Sequence, residues 1–140
     1  MNMKSRNLIV SLVIILFLLI SVLFFFFRVT DNQVIVNKMS GFNEVLPDSE
    51  RVIVDKGDVQ QFTYAVRFAD KQQGEVDISA PPFKFTLGKK QYYLWISETY
   101  SQGTLMKLPN TGTIYKIDES RVSKLLKILH KKYENNTVIQ

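Results

Sequence analysis

Hydrophobic and polar positions change their spacing four times along this chain, and each change marks a new kind of element. From Leu8 to Phe27 there is no spacing at all: the run holds no charged residue and only two serines. After Arg28 the chain turns polar around one β-branched run, Val34-Ile35-Val36, which predicts a strand at about 33–38. A second short strand is expected at Val52–Val54, stopped by Lys56-Gly57. Val59, Phe62, Val66 and Ala69 then recur at helical spacing, with Ala65 beside them. Asp58 as N-cap and Gln61 three residues later fit a capping box, and Gly74 would end a helix of about four turns.

From Pro81 the period drops to two. Phe83, Phe85 and Leu87 alternate with Lys84 and Thr86, and Gly88-Lys89 marks a tight turn into Tyr92, Leu94 and Ile96. That hairpin places Phe85 opposite Tyr92 and Phe83 opposite Leu94, with Lys84, Tyr93 and Trp95 on the other face. Two more strands, Thr104–Leu108 and Thr113–Ile117, flank the turn sequence Pro109-Asn110-Thr111-Gly112, with Met106, Leu108, Tyr115 and Ile117 as core. The last element is a helix capped by Asp118. Its apolar stripe is Val122, Leu125, Leu126, Leu129 and Tyr133, opposite Arg121, Lys124, Lys127 and Lys131. The fold expected from this order is α+β: a four-stranded antiparallel sheet with two helices packed on one face, preceded by a single N-terminal transmembrane helix.

The apolar run is long enough for that role, since about 20 residues of helix span roughly 30 Å. A cleaved signal peptide has a shorter apolar core and small residues at its cleavage site, whereas Phe24-Phe25-Phe26-Phe27-Arg28 is bulky. A pilin-type processing signal is also absent. Lys4 and Arg6 place the N-terminus inside, and Arg28 can snorkel to the far headgroups. The expected organisation is therefore residues 1–7 in the cytoplasm, 8–27 across the bilayer, and 28–44 as a linker with a short strand. Residues 45–133 form an α+β domain outside the cell, and 134–140 a frayed tail.

Charge changes the picture little. The net of +5 shrinks to +2 over residues 29–140, and Arg121, Lys124, Lys127, Lys131 and Lys132 outweigh even that, so the basic signal belongs to one helix. This is too small for a nucleic-acid binder. The chain has no cysteine, which excludes disulfides, thiolate catalysis, Cys-based metal sites and a lipoprotein anchor.

The segments Tyr92-Tyr93-Leu94-Trp95-Ile96-Ser97 and Thr111-Gly112-Thr113-Ile114-Tyr115-Lys116-Ile117, the latter leading into a Lys/Leu helix, carry a resemblance. Over residues 45–133 the chain resembles the small YhfM-like extracytoplasmic domain of Gram-positive bacteria. The resemblance implies a surface lipoprotein or membrane-anchored protein. It supplies no catalytic residue, and without a cysteine the span must serve as the anchor.

No residue set points to catalysis, to a cofactor or to a metal. His130 stands alone among lysines, Asp55/Asp58 and Glu75/Asp77 have local explanations as cap and turn residues, and Ser97, Ser101 and Thr104 have no base in evident reach. Asn135-Asn136-Thr137 matches a glycosylation sequon by chance. Two surfaces remain as candidates. Tyr93 and Trp95 with Lys84, Lys107 and Lys116 would form an aromatic and basic sheet face for a protein partner of the cell envelope. Arg121, Lys124, Lys127 and Lys131 would hold anionic wall polymer or lipid. Protein docking is the preferred expectation, polyanion binding the first alternative and an enzyme the remote one.

Overall fold

The computed structural model describes residues 2–73 and 78–135. Gly74, Glu75, Asp77 and most of the sequon and tail, which figured in the sequence reading, lie outside the described residues. The chain divides into two units, Met1–Thr30 and Asp31–Gln140.

The first unit is one helix, α1 (Met3–Phe27), with no buried residue. It is long and apolar enough to cross a membrane. Its serines do not break the pattern, because Ser21 Oγ donates to the Phe17 carbonyl one turn back.

The second unit is a seven-stranded sheet with two helices on one face. Its strands are β1 (Val34–Lys38), β2 (Arg51–Ile53), β3 (Asp70–Gln72), β4 (Phe83–Leu87), β5 (Lys90–Trp95), β6 (Gly103–Lys107) and β7 (Ile114–Ile117). The helices are α2 (Lys56–Arg67) and α3 (Glu119–Glu134). The spatial order is β2-β1-β4-β5-β6-β7-β3 and every pair is antiparallel.

The central hairpin follows the expected register: Phe85 faces Tyr92 and Phe83 faces Leu94. Gly88 turns it with a φ of 62°, and a Cβ there would also meet Asp31 Oδ1 at 2.6 Å. Under the helices lie Val34, Val36, Ile53, Phe85, Leu94, Leu105 and Ile117 from the sheet. Val59, Phe62, Ala65, Val122, Leu125, Ile128 and Leu129 meet them from above. Phe62 meets Phe85 edge-on at 5.1 Å, and Phe85 stacks on Tyr92 at 5.0 Å.

The expectation of four strands is corrected to seven. β1 was read as a strand of the linker, yet it pairs with β4 over five residues and buries Val34 and Val36 completely. β2 and β3 are three residues each, and Asp70-Lys71-Gln72 is exposed throughout, so no alternation betrays it. Helix α2 starts earlier and ends sooner than its periodicity predicts. Asp55, not Asp58, is its N-cap, accepting from the Asp58 amide, and the helix stops at Arg67 because the chain must turn to reach β3. Leu105 rather than Met106 points under the helices, and Ile128 is buried where Leu126 is only half-covered. Asp118 does cap α3. The Arg121 amide that it accepts holds its carboxyl below the ordinary value.

Two tight contacts make stability predictions. A Cβ on Gly103 would sit 2.8 Å from Ile96 Cγ2 and 2.9 Å from Val122 Cγ2, where α3 approaches the sheet. Gly103→Ala should cost about 1–3 kcal/mol in urea unfolding of the full chain in micelles. Gly41→Ala, with open space around it, should change stability by less than about 0.5 kcal/mol.

Tyr133 donates to the Ser49 carbonyl at 2.8 Å, and burial pushes its phenol up to about 12 from 10.0. The folded state therefore favours the neutral phenol. Its contribution is complete below pH 10 and is lost as pH rises from 10 towards 12. Tyr133→Phe should flatten that alkaline loss in part, the rest coming from Tyr92, raised first by burial and then by Asp31.

Candidate functional site

The outer face of the sheet, away from the helices, is built in cross-strand rows. One row runs Asn37, Lys84, Tyr93, Met106. The next runs Trp95, Thr104, Lys116, Asp70. The register thus joins Lys84 to Tyr93 as expected, and aligns Trp95 with Lys116. It separates Lys107, which pairs with Tyr92 and belongs to the helix-side face at the end of its strand.

Tyr93 and Met106 of the first row are closed to solvent, while Asn37 and Lys84 are half-buried. Tyr93 is 7% exposed and packs with Met106 and Ile114 as a second small core, against which Met39, Ile78, Trp95 and Leu108 rest. The covering comes from the chain after β1. Met39 bridges Val45, Ser40 donates from its amide and its Oγ to the Glu44 carbonyl of its own loop, and Tyr93 Oη donates to the Phe42 carbonyl. What was expected as linker roofs the middle of the aromatic face.

The second row stays open and borders a cleft of roughly 550 Å³. Its floor and walls are Trp95, Thr104 and Lys116 from the strands, Ser79, Ala80 and Pro82 from the segment before β4, and Ser97, Tyr100, Ser101 and Gln102 from the β5–β6 loop. Trp95 is fixed there because its Nε1–H donates to the Ser79 carbonyl at 2.8 Å. Lys116 Nζ donates to Thr104 Oγ1 at 3.1 Å, so its ammonium is held towards the cleft's row, with Asp70 next to it across the β7–β3 pair. Tyr100 is 72% exposed at the rim. Ser97 Oγ is buried with no hydrogen-bond partner among the described residues. Chemically the cleft offers two aromatic surfaces, one cation, several hydroxyls and an amide.

The second candidate surface is dispersed. Arg121 is paired with Asp118 and lies over the Phe68 ring at 5.0 Å. Lys124 and Lys127 are exposed along a shallow depression that also contains Asp118 and Glu119. Lys131 is exposed one turn further on. His130 Nε2 lies 3.4 Å from Glu98 Oε1.

The family model for YhfM protein matches residues 29–135, which includes β1 and every strand after it. The chain belongs to the YhfM family. Curated proteins give no match. Among solved structures, a thioesterase-like protein from Clostridium sporogenes is similar at a TM-score of 0.54 and 14% identity, over 70% of this chain and 93% of that one. At that identity the likeness shows a shared α+β fold. For a YhfM-family domain it adds that the sheet-and-helix body recurs in a protein of other sequence.

Of the residues named for this face from the sequence, Trp95 and Lys116 border the cleft, while Thr104, Ser79, Tyr100 and Gln102 were not expected beside them. The signal available was the polar run Ser97-Glu98-Thr99-Tyr100-Ser101-Gln102 between two strands, too long for a tight turn and holding an aromatic. Ser97 gives the test of this geometry. A buried hydroxyl without a partner lowers stability, so Ser97→Ala should leave the unfolding midpoint unchanged or raise it. A loss of about 1 kcal/mol would show a hydrogen bond that the geometry does not contain.

Proposed function

We propose that this YhfM-family protein is a membrane-anchored binding protein of the cell envelope. In this reading α1 is the anchor, the folded domain lies outside the cell, and the cleft beside Trp95 docks an extended segment of another envelope protein. The observation that carries it is the open row of Trp95, Thr104 and Lys116 beside an exposed Tyr100, on a face whose other aromatic row the chain itself has sealed. Desolvated tryptophan and tyrosine dominate binding energy at such sites, and the volume falls in the range of ligand pockets. Lys116 favours a segment with an acidic side chain. The thioesterase-like name of the structural neighbour stays with that protein.

A photo-crosslinking residue at Tyr100 of the full-length chain in membranes tests this. A discrete protein adduct is expected, lost with Trp95→Ala and weakened about tenfold with Lys116→Glu, which removes one attraction and adds a repulsion. The adduct should survive conversion of Lys124, Lys127 and Lys131 to Glu. An adduct that ignores Trp95 and disappears with that triple change would favour anionic polymer on α3, and turnover of an acyl thioester would favour an enzyme.

A further inference from the structure

The two edges of the sheet are built differently. β3 ends one side with Asp70, Lys71 and Gln72, all exposed, the usual guard against pairing with another strand. β2 ends the other side, with Val52 in the strand at 43% and Val54 just after it at 63% exposure. Among the described residues of the folded unit, the large apolar side chains that are exposed all lie between Phe42 and Val54, Tyr100 apart.

The backbone of that edge is also available. The Lys38 amide donates to Ser49 Oγ and its carbonyl accepts from Leu46, so Lys38 directs both groups towards the β2 side. Val36 and Val34, two and four residues earlier, share that direction, and they face Arg51 and Ile53. Arg51 and Ile53 therefore spend their backbone groups on β1, and Val52 and Val54 point theirs outward. The flanking charges then read as their own complement. Around Ile53 the order is Glu50-Arg51-Val52-Ile53-Val54-Asp55-Lys56, and reversing it sets acid against base at every charged position.

We propose that a second copy of this chain pairs antiparallel along β2, with the two-fold axis at Ile53. Val52 of one copy then faces Val54 of the other and exchanges backbone hydrogen bonds with it, twice by symmetry. Glu50 faces Lys56 of the second copy, and Arg51 faces Asp55. Glu50–Lys56 is the adjustable pair, because Arg51 already donates to the Asp48 and Glu50 carbonyls and Asp55 caps α2. The two sheets become one continuous sheet, leaving the polar β3 edges outermost. This inference does not depend on the cleft or on its ligand.

The natural absence of cysteine makes a clean test. A single cysteine at Val54 of the full-length chain in membranes, treated with a short bismaleimide, should yield a dimer, and a cysteine at Lys71 should not. Glu50→Lys in the Val54→Cys background should lower the yield about tenfold, since two pairs per dimer change from attraction to repulsion. Adding Lys56→Glu should restore it. No dimer at position 54, equal yields at 54 and 71, a crosslink to a different protein, or indifference to the charge changes would each overturn the proposal.

Discussion

The pairing of β1 with β4 is the constraint on which the rest of the domain depends. Val34 and Val36 enter the core from a stretch that follows directly on the polar residues after α1, and they are fully buried there. Once β1 is laid against β4, β2 has a strand to pair with. The Met39–Val45 loop is then brought across the outer face, and Tyr133 can reach the Ser49 carbonyl from the end of α3. Lys38 and Arg51 lie over the Tyr133 ring at 4.4 and 4.9 Å, so both strands are also tied to the last helix. Burial of two valines on a sheet offsets the entropy of ordering a segment whose composition is otherwise that of a tether.

That single placement divides the aromatic face in two. The loop after β1 satisfies the Tyr93 hydroxyl and closes the Met106–Ile114 cluster, which converts half of an exposed surface into core. The other half, along Trp95, Thr104 and Lys116, lies beyond the loop's reach and is bordered instead by the segment before β4 and the β5–β6 loop. The functional proposal follows from this division. A flat basic face would attract many partners weakly, whereas a bordered row can hold one segment in one direction.

Much of this was legible in the sequence. Period-two alternation through Phe83, Phe85 and Leu94 was read in its true register, and the capped helix α3 was read with its stripe right at Val122, Leu125 and Leu129 but with Leu126 in place of Ile128. The YhfM resemblance, drawn from the strand motifs of β5 and β7, agrees with the family match, which extends it back to residue 29. What the sequence could not reveal was the fate of short strands. The strand expected at Val52–Val54 is present one residue earlier as Arg51–Ile53, whereas Asp70–Gln72 owes its conformation to β7, a partner distant in the chain, so local propensity carries no trace of it. The cleft was half legible for the same reason. Trp95 and Lys116 align through pairing across β6, which alternation can suggest, but Ser79 and Tyr100 arrive from loops whose course no period encodes.

By its pairing and the burial of its valines, β1 belongs to the cooperative core and is not a linker that happens to be extended. Native-state hydrogen exchange on the full-length chain in micelles tests it most directly. The Val34 and Val36 amides should exchange only through global opening, at the same rate as those of Leu94 and Leu105 in the middle of the sheet. If β1 exchanged orders of magnitude faster while Leu94 and Leu105 stayed protected, the strand would be a detachable addition. The roof over Tyr93, the β2 edge and the bordered cleft would then lose their common support.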